Sequence, residues 1–333
     1  MKNKKINVIL TIIGVVIVFT GFYAALYMYI YMSSDKYFIH NKVARSIHMN
    51  YTFNNDDLIN YIFIGSSKTL FGISTEVMKE EGIFIYNYGV PGLNVSDMPY
   101  IVNKAVGKKV NYIVLHLDVS QLYGSSVNPR FPTYFDYSFI NSAIGTSFKF
   151  KSINELVSSE VRIKDILHNI LNRNVGVRHT EENEISKRLI SLKVDDDLID
   201  CSIQRFSSKG PDYTTMYCNN GDGLIYGNAK NYSPVTIELK YIDDRLKLFN
   251  SYLSYIKKSG ITPIVIFNPS FYNRTYSFDI SYLKKILNTE NVIDNSLYGI
   301  KDVSLWADSG HLNLKGRAVY SRKVAKQLIE LSK

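Results

Sequence analysis

Tyr61-Ile-Phe-Ile-Gly-Ser-Ser67 is the stretch on which the reading of the fold turns. Four bulky residues in a row, closed by glycine, have the length and continuity of a strand buried on both faces, as in a parallel sheet. Lys68 follows, and Thr69 to Glu81 has helical character, so the two serines sit at a strand-to-helix turn. A serine there is carried past the sheet edge, beside the free N–H groups of a helix start, which can stabilise a developing negative charge. A plain helix cap would use the same serines.

The pattern recurs along the chain. Ile83-Phe-Ile-Tyr-Asn-Tyr-Gly89 reads as a second strand, and Val90-Pro-Gly-Leu-Asn94 as a tight loop where backbone can approach a ligand. A helix is expected near Ser96–Val106, then a third strand, Tyr112-Ile-Val-Leu-His-Leu117, ending at Asp118. Ser233-Pro234 signals a helix start, with the helix running to about Lys258. Thr262-Pro-Ile-Val-Ile-Phe267 is a fourth strand, closed by Asn268-Pro269; Ser281–Asn288 reads as a helix and Asn291-Val-Ile-Asp294 as a short last strand. Strands alternating with helices predict an α/β fold with a parallel sheet and right-handed crossovers. Ligands bind such sheets at the carboxyl ends of the strands, where Ser67, Gly92, Asp118 and Asn268 fall.

A serine nucleophile needs a base. Trp306-Ala-Asp-Ser-Gly-His-Leu-Asn-Leu-Lys-Gly316 puts Asp308 three residues before His311, with Asn313 beyond, ahead of a helical segment from Arg317 to Leu331. A carboxylate that accepts from Nδ1–H fixes both the orientation and the tautomer of an imidazole. Of six histidines, His168 also follows an aspartate (Asp165) by three, but inside a helical pattern; only His311 adds a neighbouring glycine in a loop. A polar helix start capped by Asp308 or Ser309 would account for the same residues.

Composition bounds the rest. A chain of 333 residues, 46% hydrophobic with 26 tyrosines, has ample length for a buried core and is unlike a disordered one. Cys201 and Cys218 are too few for a disulfide scaffold and lack zinc-site spacing, so one bridge or two thiols are the alternatives, and neither metal nor cofactor is expected. The net charge is +9 with scattered basic residues, which suits anionic lipid or polymer and does not suggest nucleic acid. Ile6 to Ser34 carries no charge; Lys2, Lys4 and Lys5 precede it, and Tyr23, Tyr27, Tyr29 and Tyr31 crowd its far end. That is the arrangement of a transmembrane helix with a cytoplasmic N-terminus. A cleaved signal peptide would have a shorter apolar core and small residues at the cut.

The expected organisation is therefore a cytoplasmic tail and anchor at 1–34, a linker or packing arm at 35–57, and an extracytoplasmic catalytic domain at 58–333. Residues 121–233 lack the α/β rhythm apart from a helix near Ile153–Leu171 and a charged piece at Glu181–Asp197, and read as an insertion capping the site. Its aromatic groups, Phe131–Tyr137 and Tyr213–Tyr217, would either stack on sugar rings or pack internally.

With Ile64-Gly-Ser-Ser67, Asn87-Tyr-Gly-Val-Pro-Gly92 and Asp308-Ser-Gly-His-Leu-Asn313 in this order, the chain resembles the SGNH (GDSL-like) hydrolase superfamily. More narrowly, it is similar to the membrane-anchored branch that contains the D-alanyl transfer protein of teichoic acid synthesis and the alginate O-acetylation proteins. The resemblance covers roughly residues 58–120 and 234–333. It implies a three-layer α/β/α flavodoxin-like fold, with Ser67 as nucleophile and Ser66 in place of the family's aspartate. It also implies His311 and Asp308 as the rest of a triad, and the N–H groups of Ser67 and Gly92 as oxyanion donors. The Asn of the family's third block has no counterpart in Leu117-Asp-Val-Ser-Gln121. Ser66, Asp118, Asn268 and Asn313 are candidates for lining the site. The activity implied is O-acyl transfer, acetyl in the first instance, to an extracellular polysaccharide or wall polymer, with a polytopic membrane-bound O-acyltransferase as partner. A membrane-tethered carbohydrate or lipid esterase, or a non-catalytic polymer-binding scaffold, are the alternatives.

Overall fold

The structure, a computed structural model, describes residues 11, 13–19, 21, 22, 45, 48, 49, 52, 53, 58–123, 187, 189, 198–210, 213–230, 235–239, 243–270, 274–299 and 302–332. The first apolar run is β1 (Tyr61–Gly65), buried along its whole length. Two short helices follow, α1 (Ser67–Gly72) and α2 (Thr75–Glu80), separated where Ile73 turns extended and the Ser74 side chain caps α2 by accepting from the Val77 N–H. Next come β2 (Ile85–Gly89), α3 (Met98–Val106) and β3 (Tyr112–Leu117). An antiparallel meander then runs through β4 (Ile203–Gly210), β5 (Tyr213–Cys218) and β6 (Gly223–Gly227). The chain continues with β7 (Val235–Glu238), α4 (Asp243–Lys258), β8 (Thr262–Phe267), β9 (Arg274–Ser277), α5 (Ile280–Ile286), β10 (Val292–Asp294) and α6 (Leu314–Leu331).

The main sheet has five strands, in the order β2-β1-β3-β8-β10, every neighbouring pair parallel. Taking these five in chain order, this is the 2-1-3-4-5 order of a doubly wound sheet. Alternation along each strand sends side chains to opposite faces. Ile62, Ile64, Ile113, Leu115 and Val265 join Ile101 and Val102 of α3 and Phe249 and Leu253 of α4 in one cluster. Phe63, Val114, Ile264 and Ile266 join Tyr320, Val324 and Leu328 of α6 in the other. Both faces are thus covered by helices, which is why the strands are continuous apolar runs. All five carboxyl ends lie along one edge.

Two segments differ from the sequence expectation. The helix expected from Ser233-Pro234 is described over Asp243–Lys258, and Val235-Thr-Ile-Glu238, read as its first part, is β7, paired in parallel with β9. Two β-branched residues flanking a threonine favour the extended chain there, against the local helix-start signal. The region read as lacking the α/β rhythm contains the three-stranded meander of β4, β5 and β6. Cys201 and Cys218 are joined there as a disulfide, their Cα atoms 5.8 Å apart. Tyr217 is buried with its ring 5.9 Å from that of Phe71, so it packs internally. The expected helix at 153–171 and the aromatic group at 131–137 lie outside the described residues, as does nearly all of 181–197.

Part of the stretch read as a linker is packed onto the domain. Arg45 and Met49 are fully buried, and the Arg45 guanidinium donates to the carbonyls of Asn87 and Gly221. Further upstream, residues 13–19 are helical, with Ile13 and each residue from Val15 to Phe19 exposed. Most of the expected transmembrane segment, Ile6–Ser34, lies outside the described residues, and among those described no helix is long and apolar enough to cross a membrane.

Candidate active site

Three side chains from the two ends of the domain meet at the carboxyl edge of the sheet. Ser67 is the first residue of α1, and its Oγ lies 2.9 Å from Nε2 of His311, 244 residues away in the chain. The His311 Nδ1 lies 2.9 Å from Oδ2 and 3.0 Å from Oδ1 of Asp308. With Nδ1–H donating to that carboxylate, the lone pair of Nε2 faces the serine hydroxyl.

The loop holding Asp308 and His311 is rigid for local reasons. The Asp308 Oδ1 accepts from the backbone N–H groups of Gly310 (2.7 Å) and His311 (2.8 Å). Trp306 and Leu312 form an antiparallel bridge across the loop, and Ala307 N–H donates to His311 O at 2.9 Å. The Trp306 indole is buried beneath, donating to the Gly299 carbonyl. Partial burial works to raise the Asp308 carboxyl, but the hydrogen bond and charge of the His311 ring and the two N–H donors outweigh it. They bring it down to about 2. Asp308 therefore stays ionised beside the imidazole throughout the neutral range. Phe71, on α1, meets the His311 ring edge-on at 5.9 Å.

The other expected site residues take different parts. Ser66 caps α1, its Oγ accepting from the Lys68 N–H at 3.3 Å. Gly92 sits in the loop after β2 with φ +74°, and that loop is tied to β1 by Val90 N–H donating to Gly65 O. Asn313 caps α6 by accepting from the Gly316 N–H and donates to Ser304 O at 2.7 Å, so it shapes the histidine loop and does not face the serine. Asn268 is wholly buried, and among the described residues neither of its side-chain polar atoms has a hydrogen-bond partner. Asp118 accepts from Ser120 N–H (2.9 Å) and from the Lys68 ammonium (2.7 Å).

Several residues that sequence reasoning passes over complete the surroundings. Lys68 also donates to Pro269 O at 2.9 Å, bridging the ends of β3 and β8. His116 on β3 is fully buried between Thr69 Oγ1 and Tyr320 Oη, each 2.9 Å away. Burial first, and the Lys68 charge second, push it down to about 3, so it stays neutral and joins α1 to α6 as a hydrogen-bonding bridge. Arg317, one turn into α6, is gripped by Asp222 (2.7 Å) and Asp200. Asp222 also accepts from Thr75 N–H (2.8 Å) and from Asn87 (3.1 Å), so one buried carboxylate links the meander, α2, β2 and α6. A water-sized cavity of about 10 Å³ lies behind the triad, lined by Lys68, Phe71, Pro269, Trp306, His311 and Tyr320. Among the described residues no group of three or more His, Cys, Asp or Glu side chains is placed to hold a metal ion.

No known protein-family profile matches the chain, and no curated protein matches it. One solved structure, described as a possible lipase from Chitinophaga pinensis DSM 2588, is similar over 82% of this chain and 99% of its own. The sequence identity is 12% and the TM-score 0.27, a likeness too slight to carry any argument about this chain.

Proposed function

We propose that the protein transfers acyl groups through Ser67, as an enzyme of the SGNH (GDSL-like) hydrolase kind. The observation that carries this reading is the unbroken series of hydrogen bonds from the Ser67 hydroxyl through His311 to an ionised Asp308. His311 Nε2 takes the hydroxyl proton as Ser67 Oγ attacks the carbonyl carbon of an ester. The oxyanion so formed is received by the N–H at the start of α1 and by that of Gly92. Collapse of the tetrahedral species expels an alcohol, which takes the proton from His311 and leaves an acyl-Ser67 ester. An incoming hydroxyl, deprotonated by His311, then attacks that ester and carries the acyl group away.

The finer reading is O-acyl transfer, acetyl in the first instance, to the hydroxyls of an extracytoplasmic polysaccharide or wall polymer. A polytopic membrane-bound O-acyltransferase would deliver the acyl group at the membrane. The uncharged run of Ile6–Ser34 supports an anchor. The Cys201–Cys218 bridge supports an oxidising compartment outside the cytoplasm. Hydrolysis, with water as acceptor, is the second reading: the His311 and Asp308 side chains keep 24% and 33% of their surface exposed, so solvent reaches them.

The test is labelling of the detergent-solubilised full chain with a fluorophosphonate, together with polymer acyl content in cells that carry Ser67→Ala. Loss of both the label and the polymer acyl groups is expected. Full labelling of Ser67→Ala would defeat the serine mechanism. Labelling of the native chain with unchanged polymer acylation in the variant would favour hydrolysis.

A further inference from the structure

Lys68 follows the proposed nucleophile directly, and its side chain does not extend into solvent. Only 11% of it is exposed, and only 6% of the Asp118 side chain it pairs with. Its ammonium donates to Asp118 Oδ2 at 2.7 Å and to Pro269 O at 2.9 Å. Asp118 in turn is fixed by accepting from the N–H and the hydroxyl of Ser120, at 2.9 and 2.7 Å. The cation therefore ties the first turn of α1 to the carboxyl ends of the two strands nearest on that side, β3 and β8. It also forms one wall of the small cavity behind His311.

This placement is more than a surface ion pair. An exposed pair adds little, whereas a charge held this deep is retained only with a partner and fixed geometry. α1 has six residues, too short to hold its own direction, so what pins its start decides where Ser67 Oγ lies. Thr69 is bonded to His116 one residue further on, and the Asn87 amide donates to the carbonyls of Thr69 and Leu70, so these bonds hold the residues after Lys68. On the side facing β8, Lys68 holds the turn.

We infer that Lys68, paired with Asp118 and seated on the Pro269 carbonyl, is a positioning residue that keeps the Ser67 hydroxyl within reach of His311. The inference rests on the acyl-transfer reading above. It makes Lys68 and Asp118 one unit: losing either partner strands a buried charge, while losing both leaves a neutral but slack turn.

The experiment measures the rate of fluorophosphonate labelling, and kcat and KM for a p-nitrophenyl ester, on the full chain and on Lys68→Met, Asp118→Asn, Lys68→Arg and the double variant K68M/D118N. Displacement of a reacting atom by about 1 Å costs on the order of 100-fold. Lys68→Met is expected to label about 10- to 100-fold more slowly, with KM within about twofold and Lys68→Arg recovering part of the rate. The double variant is expected to be no slower than Lys68→Met. It carries the test by itself if either single variant fails to fold. A double variant that folds and labels within about twofold of the native rate would overturn the inference, as would losses that multiply independently. Failure of the native chain to label at all would instead defeat the serine mechanism.

Discussion

The parallel sheet and the inserted meander both support the proposed site, but by different physics. The sheet supports it end-on: β1 delivers Ser67, and the ends of β3 and β8 receive Lys68 through Asp118 and Pro269. Its charged groups, Lys68 and Asp118, are paired at that edge, and His311 and Asp308 keep part of their surface exposed. The meander supports it from the side. Tyr217 and Ile225 pack on Leu70 and Phe71, and the buried carboxylate of Asp222, in the turn between β5 and β6, reaches the buried Arg317. One region presents the Ser67 hydroxyl, and the other joins α1 to α6. Removing Ser67 or His311 at the edge should therefore abolish chemistry and spare folding, while a change in the meander should act first on folding.

The largest expected effect tests the first half of that contrast. Ser67→Ala or His311→Ala should lower ester turnover by at least about 10³-fold with a melting temperature close to native. A variant that melts early instead would show that the edge also holds the fold together. On the other side, Arg317→Met leaves Asp222 and Asp200 without their cation, and removal of one partner of a buried pair costs about 3–5 kcal/mol. Denaturant unfolding should show that loss, with kcat per folded molecule changed far less than in Ser67→Ala. Replacing both cysteines by serine opens a loop of sequence separation 17, for which the expected loss is about 3 kcal/mol. Gly223→Ala should cost less, about 1–3 kcal/mol, because the added Cβ would stand 2.5 Å from the Phe71 ring. Since Phe71 abuts His311, Gly223→Ala is also the one meander change expected to lower kcat.

The same contrast decides what is legible in the sequence. The strands of the parallel sheet can be read because burial on both faces leaves uninterrupted apolar runs, as in Tyr61–Gly65 and Thr262–Phe267. The Asp308–His311 loop can be read because its spacing is local. The meander hides because Tyr213-Thr-Thr-Met-Tyr-Cys218 mixes polar and apolar residues on a sheet that packs sideways against helices. Its strongest signal, Asn220-Gly221 between two β-prone runs, is a hairpin turn that a reading centred on α/β rhythm passes over. Lys68 and Arg317 are illegible for another reason. Their partners, Asp118, Asp200 and Asp222, lie 50 to 117 residues away, and nothing local marks those charges as a pair.

The smallest effect sharpens the comparison most, because the carboxylates of the two regions titrate in opposite directions. At the edge, Asp308 is held at about 2, against an unfolded value near 3.8. Between those values the unfolded chain binds the extra proton, so stability present above about pH 4 is lost as pH falls toward 2. In the meander, burial raises Asp222 above its ordinary value, and the opposing Arg317 charge does not fully cancel it. There the folded chain binds the proton first, so stability rises as pH falls through the window just above the ordinary carboxylate range. Melting temperatures of the native chain should accordingly gain on Asp222→Asn as pH is lowered through that window, then drop relative to Asp308→Asn below about pH 4. Parallel shifts in the two comparisons would mean that both carboxylates sit in equivalent surroundings, and the division between a part-exposed edge and a buried brace would fail with them.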